Sequence, residues 1–571
     1  MKAQHLLWTV ALVSLCACGG SNGSSSSGGA SGIPNLTADR IFLGGPILTV
    51  NPPGEAQALA VKDGRILAVG TREAVLATQS TSTEIVDLQG KTLMPGFVEP
   101  HLHVASVASS LSQVDLLSEA PNQQLSTVLT RLTQALPASG WLQASGFDPS
   151  RTSPLFASLT VTNLDSVSST VPIFVLNASE HIAYVNSAAF IAAGVTNTTA
   201  NPAGGEYVHD SNGNLTGQIN EPPSFTAFEA KFPKRTPAQI LEGMRQSLFI
   251  FSRAGVTTAG DLNTGLAYGL ENEISMLTTL SQESPTPVRV FSYLSFLAMK
   301  PGQPLPVQPR QGNDMLRFLG VKFTLDGSTQ GFTGALNQPY LTNTTSTGTL
   351  DYPNTEILFQ DALPFAQDGW QLSFHTNGDR ALDQALEVHA RLRAKPIDIR
   401  DRRFRIEHLT VTSETQLDRL KELDLTPSMT PGHIFYWGQV FFQSILGPER
   451  ASRVDACASL KSRGIRFSLN SDATTTTVEP LRYIQNVVTR IPQLTPPAVL
   501  GPDQRISVDD AIRAVTLDAA YQLFMDDKIG SLEVGKLADL VVLSDNPRTV
   551  DPSTIRSIRV ERTYLGGVRK L

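Results

Sequence analysis

The stretch Met94-Pro95-Gly96-Phe97-Val98-Glu99-Pro100-His101-Leu102-His103 decides how this chain is read. It is an apolar run that ends in two histidines two residues apart. In extended backbone, period-two spacing sends both side chains to one face. Two imidazoles on one face of a strand end make half of a metal site. Taken alone, the pair reads equally well as two surface or core histidines in a chain that has nine. Segments far down the chain separate the two readings.

Gln371-Leu372-Ser373-Phe374-His375 is a short apolar run that stops at a histidine, and Phe404-Arg405-Ile406-Glu407-His408 is another. Phe467-Ser468-Leu469-Asn470-Ser471-Asp472 stops at an acid. Each reads as a short buried strand whose last residue can ligate. In a (β/α)8 barrel the C-terminal strand ends converge on one face, where active sites form. Four strands then deliver His101, His103, His375, His408 and Asp472 to one place. Neutral imidazole and carboxylate suit Zn²⁺ and similar divalent ions. A further strand, Leu319 to Leu325, carries Lys322 inside an apolar run. That costs free energy unless the amine is paired or chemically changed. A salt bridge to Asp326 is one reading; the order of the strands argues for the other.

Taken in order, the segments PGFVEPHLH (95–103), VKFTLDGS (321–328), HTNGDRALD (375–383), RIEHL (405–409), SLNSDA (468–473) and IGSLEVGKLADLVVL (529–543) resemble the amidohydrolase superfamily. More narrowly they resemble its YtcJ-like (amidohydrolase 3) branch, as do WLQASGFDP (141–149) and HIAYVNSAAF (181–190). The resemblance runs from about Leu36 to the C-terminus. It implies an α/β fold: a distorted (β/α)8 TIM barrel, a small β-sandwich built from both chain ends, and a large insertion after barrel strand 1. It also implies roles. His101 and His103 bind the more buried metal, and Asp472 completes that site. Lys322 is N-carboxylated and bridges two ions, and His375 and His408 hold the second. One or two divalent ions, Zn²⁺ first among them, are expected. The branch usually has Asp where this chain has Glu99, which implies altered hydrogen bonding behind the ligands. It usually has Gly before the histidine at 181, where this chain has Glu180.

His181 is open to two readings, a group facing the substrate or a structural hydrogen bond within the insertion. His433, in Thr430-Pro431-Gly432-His433-Ile434-Phe435-Tyr436-Trp437, suits either a pocket wall after a strand end or ordinary loop packing. The long Thr-, Gly- and Asn-rich loop from Asp326 to about Tyr352 has the composition of a lid. The expected reaction is hydrolysis of a carbon–nitrogen bond other than a peptide bond, in an amide, N-acyl or N-formyl small molecule, by metal-bound hydroxide. Asp472 carries the proton to the leaving amine, and His181 or His433 stabilises the oxyanion. An esterase, lactonase or deaminase on the same site, and an inactive lipid-anchored binding protein, are the alternatives.

Composition bounds the rest. The net charge is −7, from 45 Lys and Arg against 52 Asp and Glu, and no basic cluster appears, which argues against nucleic acid as a partner. Met1-Lys2 followed by the apolar Leu6 to Leu15 reads as a signal peptide over 1–17, too short to span a membrane as an ordinary helix. Leu15-Cys16-Ala17-Cys18-Gly19 resembles a bacterial lipobox with Cys18 lipidated; a plain secretory signal is the alternative. The Gly/Ser-rich run that follows reads as a flexible tether over 18–35. The address implied is the cell envelope, exported and lipid-anchored on the periplasmic side of a membrane. Only Cys457 remains in the body, so no disulfide framework forms, and a lone Cys reads as a small buried residue. The expected domains are a β-sandwich from 36–94 and 529–571, and a barrel over 95–528 with a subdomain inserted at 104–250. A small-molecule substrate is the expected partner. Oligomeric state is left open.

Overall fold

The computed structural model describes residues 36–571 except 53, 118–122, 285 and 301. The signal peptide, Cys18 and the tether therefore lie outside the described residues. Eight parallel strands follow one another in a single sheet: Phe97–Leu102, Val256–Thr264, Arg289–Ser295, Leu316–Thr324, Gln371–Thr376, Arg405–His408, Thr426–Met429 and Ser468–Leu469. The first and last are joined by no full ladder. A bridge from Leu102 to Ala473 links them, with Asp472 N donating to His101 O at 3.1 Å and His103 N to Ala473 O at 3.0 Å. The barrel is thus nearly closed, and its closing seam runs through the residues expected to ligate.

The eighth strand is two residues long, shorter than the 467–472 run of the sequence. The reason is local. Asp472 has φ of 50°, which no ladder accommodates. The chain leaves the sheet at Asn470 and turns its polar residues into the barrel mouth. Helices lie between the strands, as βα alternation requires. In Asp379–Arg393 the buried Leu382, Ala385, Leu386, His389 and Leu392 recur at helical spacing, one face against the barrel. Glu414–Glu422 starts at a capping box, with Ser413 and Gln416 each satisfying the other's backbone N–H.

Both ends of the chain contribute to a second eight-stranded sheet. Its seam is Thr92–Pro95, antiparallel to Leu540–Leu543. Alternation along these strands divides their side chains between two cores. Met94, Val541 and Leu543 join the barrel core, while Leu93, Leu540 and Val542 pack within the end sheet. Arg289, at the foot of the third barrel strand, adds a bidentate buried ion pair to Asp539, at 2.7 and 3.0 Å.

Between the first two barrel strands lies a six-stranded sheet drawn from residues between Val114 and Asn220. It has separate apolar clusters of its own. The helices at the ends of this segment belong elsewhere: Val104 and Val107 of Val104–Ser110, and Met244, Leu248 and Phe251 of Pro237–Arg253, sit in the barrel core. Cys457 is buried and forms no disulfide among the described residues. No described helix is long and apolar enough to cross a membrane.

Candidate metal centre

The barrel mouth gathers the polar strand ends. His101 is fully buried at the end of the first strand. Its Nδ1–H donates to Glu407 Oε2 at 2.8 Å. A carboxylate only accepts, so the Nε2 lone pair faces the other way. That Nε2 lies 3.1 Å from Asp472 Oδ1 and 3.4 Å from Lys322 Nζ. His103, just past the strand, places Nε2 3.0 Å from the same Asp472 oxygen. Its Nδ1 is buried with no hydrogen-bond partner among the described residues.

His408 follows the same logic. Thr430 Oγ1 donates to Asn470 Oδ1 at 2.9 Å, so it accepts from His408 Nδ1–H at 3.1 Å. His408 Nε2 is then a lone pair, buried and without a partner among the described residues. His375 donates Nδ1–H to Asp326 Oδ1 at 3.0 Å, and its ring lies 4.4 Å from that of His408. Ligand atoms of His101, His408 and Asp472 all fall within 4.8 Å of one another. This trio cuts across the two sets implied by the resemblance. His103 joins it through Asp472, His375 through His408 and Lys322 through His101.

Two acceptors facing each other, such as His101 Nε2 and Asp472 Oδ1, repel unless a cation lies between them. The unpartnered His408 Nε2 costs desolvation free energy for the same reason. The donor set therefore fits a divalent cation held by nitrogen and oxygen.

Lys322 is buried in the fourth strand. No carboxylate reaches its amine within salt-bridge distance among the described residues, so the expected alternative of a bridge to Asp326 is not formed. Asp326 instead accepts from His375 Nδ1 and from the backbone N–H of Asn377, Gly378 and Ala335. Burial pushes the Lys322 amine down to about 8, against the pull of Glu407 and Asp472.

The outer partners are mostly ones the sequence reading did not single out. Glu407 binds Arg405 at 2.7 and 3.0 Å and accepts from Ser373 Oγ at 2.7 Å. Burial opposes its charge, but Arg405 and His101 hold the carboxyl well below the usual range. Glu407 thereby fixes the His101 ring and its tautomer. Glu99 accepts from Ser471 N at 3.0 Å and Tyr483 OH at 2.9 Å, supporting the turn that aims Asp472. Burial pushes its carboxyl up to about 8. Burial also opposes the Asp472 charge, yet His101 and His408 hold that carboxyl well below its ordinary value.

His181 comes from the inserted sheet. Its Nδ1 lies 2.7 Å from Glu221 Oε2 and its ring 5.8 Å from that of His375. Burial would lower its pKa, but Glu221 outweighs this and raises it to about 9. His433 lies on the helix Gly432–Val440 rather than on a loop. It is buried against Trp437 and Phe441, its ring 6.4 Å from that of His408. The loop after Asp326 is tied down by backbone bonds, Leu336 to Thr347 at 2.8 Å and Asp351 to Leu325 at 2.9 Å.

Barrel and donor set together define a metal-dependent hydrolase. The chain belongs to the amidohydrolase family, whose model matches residues 84–569. Its relatives include Protein LONG AFTER FAR-RED 3 of Arabidopsis thaliana, 28% identical over 545 residues, which cover 93% of this chain and 91% of that one. N-substituted formamide deformylase of Arthrobacter pascens is 26% identical over 558 residues, covering 93% and 98%. The crystal structure of an uncharacterized metal-dependent hydrolase from Pyrococcus horikoshii matches with a TM-score of 0.69 at 23% identity, covering 90% of this chain and 99% of that one. That likeness shows the fold.

Proposed function

We propose that this amidohydrolase, of the YtcJ-like branch, cleaves the amide bond of a small N-formyl or N-acyl amine. The observation that carries the reading is the convergence of His101, His408 and Asp472 within 4.8 Å. Similarity to an N-substituted formamide deformylase supports the substrate class. His101, His103, His375, His408, Lys322 and Asp472 would hold one or two ions, Zn²⁺ foremost. A divalent ion here supplies a Lewis acid for the carbonyl and activation of water near neutral pH.

The chain's own residues do the rest. Asp472, ionised by its histidine neighbours, takes the proton of the attacking water on its carboxylate and passes it to the leaving nitrogen. That transfer is needed because an amide anion is a prohibitively poor leaving group. His181, held through Nδ1 by Glu221 with its ring 5.8 Å from that of His375, would donate from its other nitrogen to the developing oxyanion. His433 stays in the wall behind His408. The full chain loaded with Zn²⁺ is expected to release free amine and formate or carboxylate from N-formyl and N-acyl amines. Turnover confined to esters and lactones in the same panel would sink the reading.

Lys322 is proposed to be N-carboxylated. A buried amine in the ligand cluster, paired with no carboxylate among the described residues, cannot itself bind a cation while protonated, whereas a carbamate supplies two oxygens. Lys322→Ala should lose activity and regain part of it with a short carboxylic acid in the buffer. An unmodified Lys322 turned away from bound metal in an electron-density map would refute the modification. The lipid anchor at Cys18 and the envelope address are proposals on the residue pattern alone. A mature chain that retains Met1 and stays in the cytoplasm would overturn them.

A further inference from the structure

One carboxylate beside the metal centre has no part in the reaction above. Glu180 immediately precedes His181 in the bend between Ile173–Asn177 and Ile182–Val185 of the inserted sheet, with φ of 60°. A non-glycine residue keeps such backbone only where its surroundings impose it, and such residues cluster at ligand sites. The loop is held by Glu180 N donating to Asn177 O at 3.0 Å and His181 N to Ser179 Oγ at 3.3 Å. Glu180 is half-buried. Among the described residues no hydrogen bond or ion pair reaches its carboxylate.

The two histidines whose charge acts on it each have a carboxylate partner of their own. His181 is committed to Glu221 at 2.7 Å, and His103 to Asp472 at 3.0 Å. Burial keeps the Glu180 carboxyl above its usual range, and His103 and His181 offset only part of that. Glu221 and Asp351, which both act on His181, add to the acidic character of this wall. A half-buried carboxylate without a partner costs free energy, and a bound cation removes that cost.

We propose that Glu180 receives a positively charged group of the substrate, so that preferred substrates are N-formyl or N-acyl compounds bearing an ammonium near the scissile amide. An ammonium offers three N–H donors and a full charge to an acceptor that otherwise has neither. This rests on the hydrolase reading above, and it narrows the substrate class.

The test compares two formamides of nearly equal shape, N-(2-aminoethyl)formamide and N-propylformamide, on the metal-loaded full chain at neutral pH. Wild type should favour the cationic member in kcat/KM by roughly 10- to 100-fold, the span of a charge-assisted hydrogen bond. In Glu180→Gln and Glu180→Gly the ratio should fall towards one. A wild-type ratio of one or less, or a ratio unchanged in both variants, would overturn the proposal. So would loss of bound metal in Glu180→Gln, because Glu180 would then be a ligand. Hydrolysis of neither compound counts against the hydrolase reading, and a second measurement then decides. Butylammonium chloride should raise the melting temperature of wild type above that in potassium chloride of equal ionic strength, and should not do so in Glu180→Gln. Equal shifts in both proteins would overturn the proposal.

Discussion

Changing His101 and His103 together to alanine is expected to remove bound metal and turnover in one step. The two imidazoles place nitrogens 3.1 and 3.0 Å from one Asp472 oxygen, so the double change strips that oxygen of both nitrogen neighbours. Metal affinity should fall by well over ~10²-fold, because losing even an outer hydrogen-bond partner of a ligand costs ~10–100-fold. The fold should persist. Glu407 keeps Arg405 and Ser373 when His101 is gone, so no unpaired buried charge is left to unfold the barrel. Elemental analysis and far-UV circular dichroism of the purified variant separate the two effects. A double variant with full turnover would refute the site.

Asp472→Asn is expected to lower turnover by ~10²–10⁴-fold, the range for loss of general acid–base catalysis, while bound metal falls much less. Asparagine has the same shape and still offers an oxygen, but it cannot carry a proton. The wild-type carboxyl lies well below the ordinary range, so it is ionised at neutral pH and ready to accept. As pH falls through that lowered value, the base is lost. The acidic limb of the pH–rate profile should therefore move or vanish in the variant, since Asp472 and the water it serves titrate as a coupled pair. Near wild-type turnover in Asp472→Asn would reduce this residue to a ligand.

The ligand-bearing strand ends were legible because they combine two local signals, a short apolar run and a polar last residue. Chain order did the remaining work, since consecutive βα units make neighbours of consecutive strands. Glu99 was legible as a supporting residue, though not its partners, Ser471 and Tyr483, hundreds of positions away. Glu407 stands next to His408 in the chain, and Asp326 four residues after Lys322, yet neither position tells which histidine it supports. Nothing in RIEH says that Glu407 turns to His101 on the first strand. Strand register decides that, and register is set by packing across the sheet.

By itself, the sequence determined the class of fold, the strands that carry the donors, and a buried lone cysteine, because each depends on residue type and near-neighbour periodicity. Only the tertiary structure decided how the donors group around Asp472 and that the inserted sheet brings His181 and Glu221 over them. It alone decided that Lys322 forms no bridge to Asp326, and that Glu180 has no partner among the described residues. These are contacts between residues far apart in the chain. Their geometry follows from how sheets pack and where the backbone leaves its ladder, as at Asp472 with φ of 50°, and no local pattern encodes it.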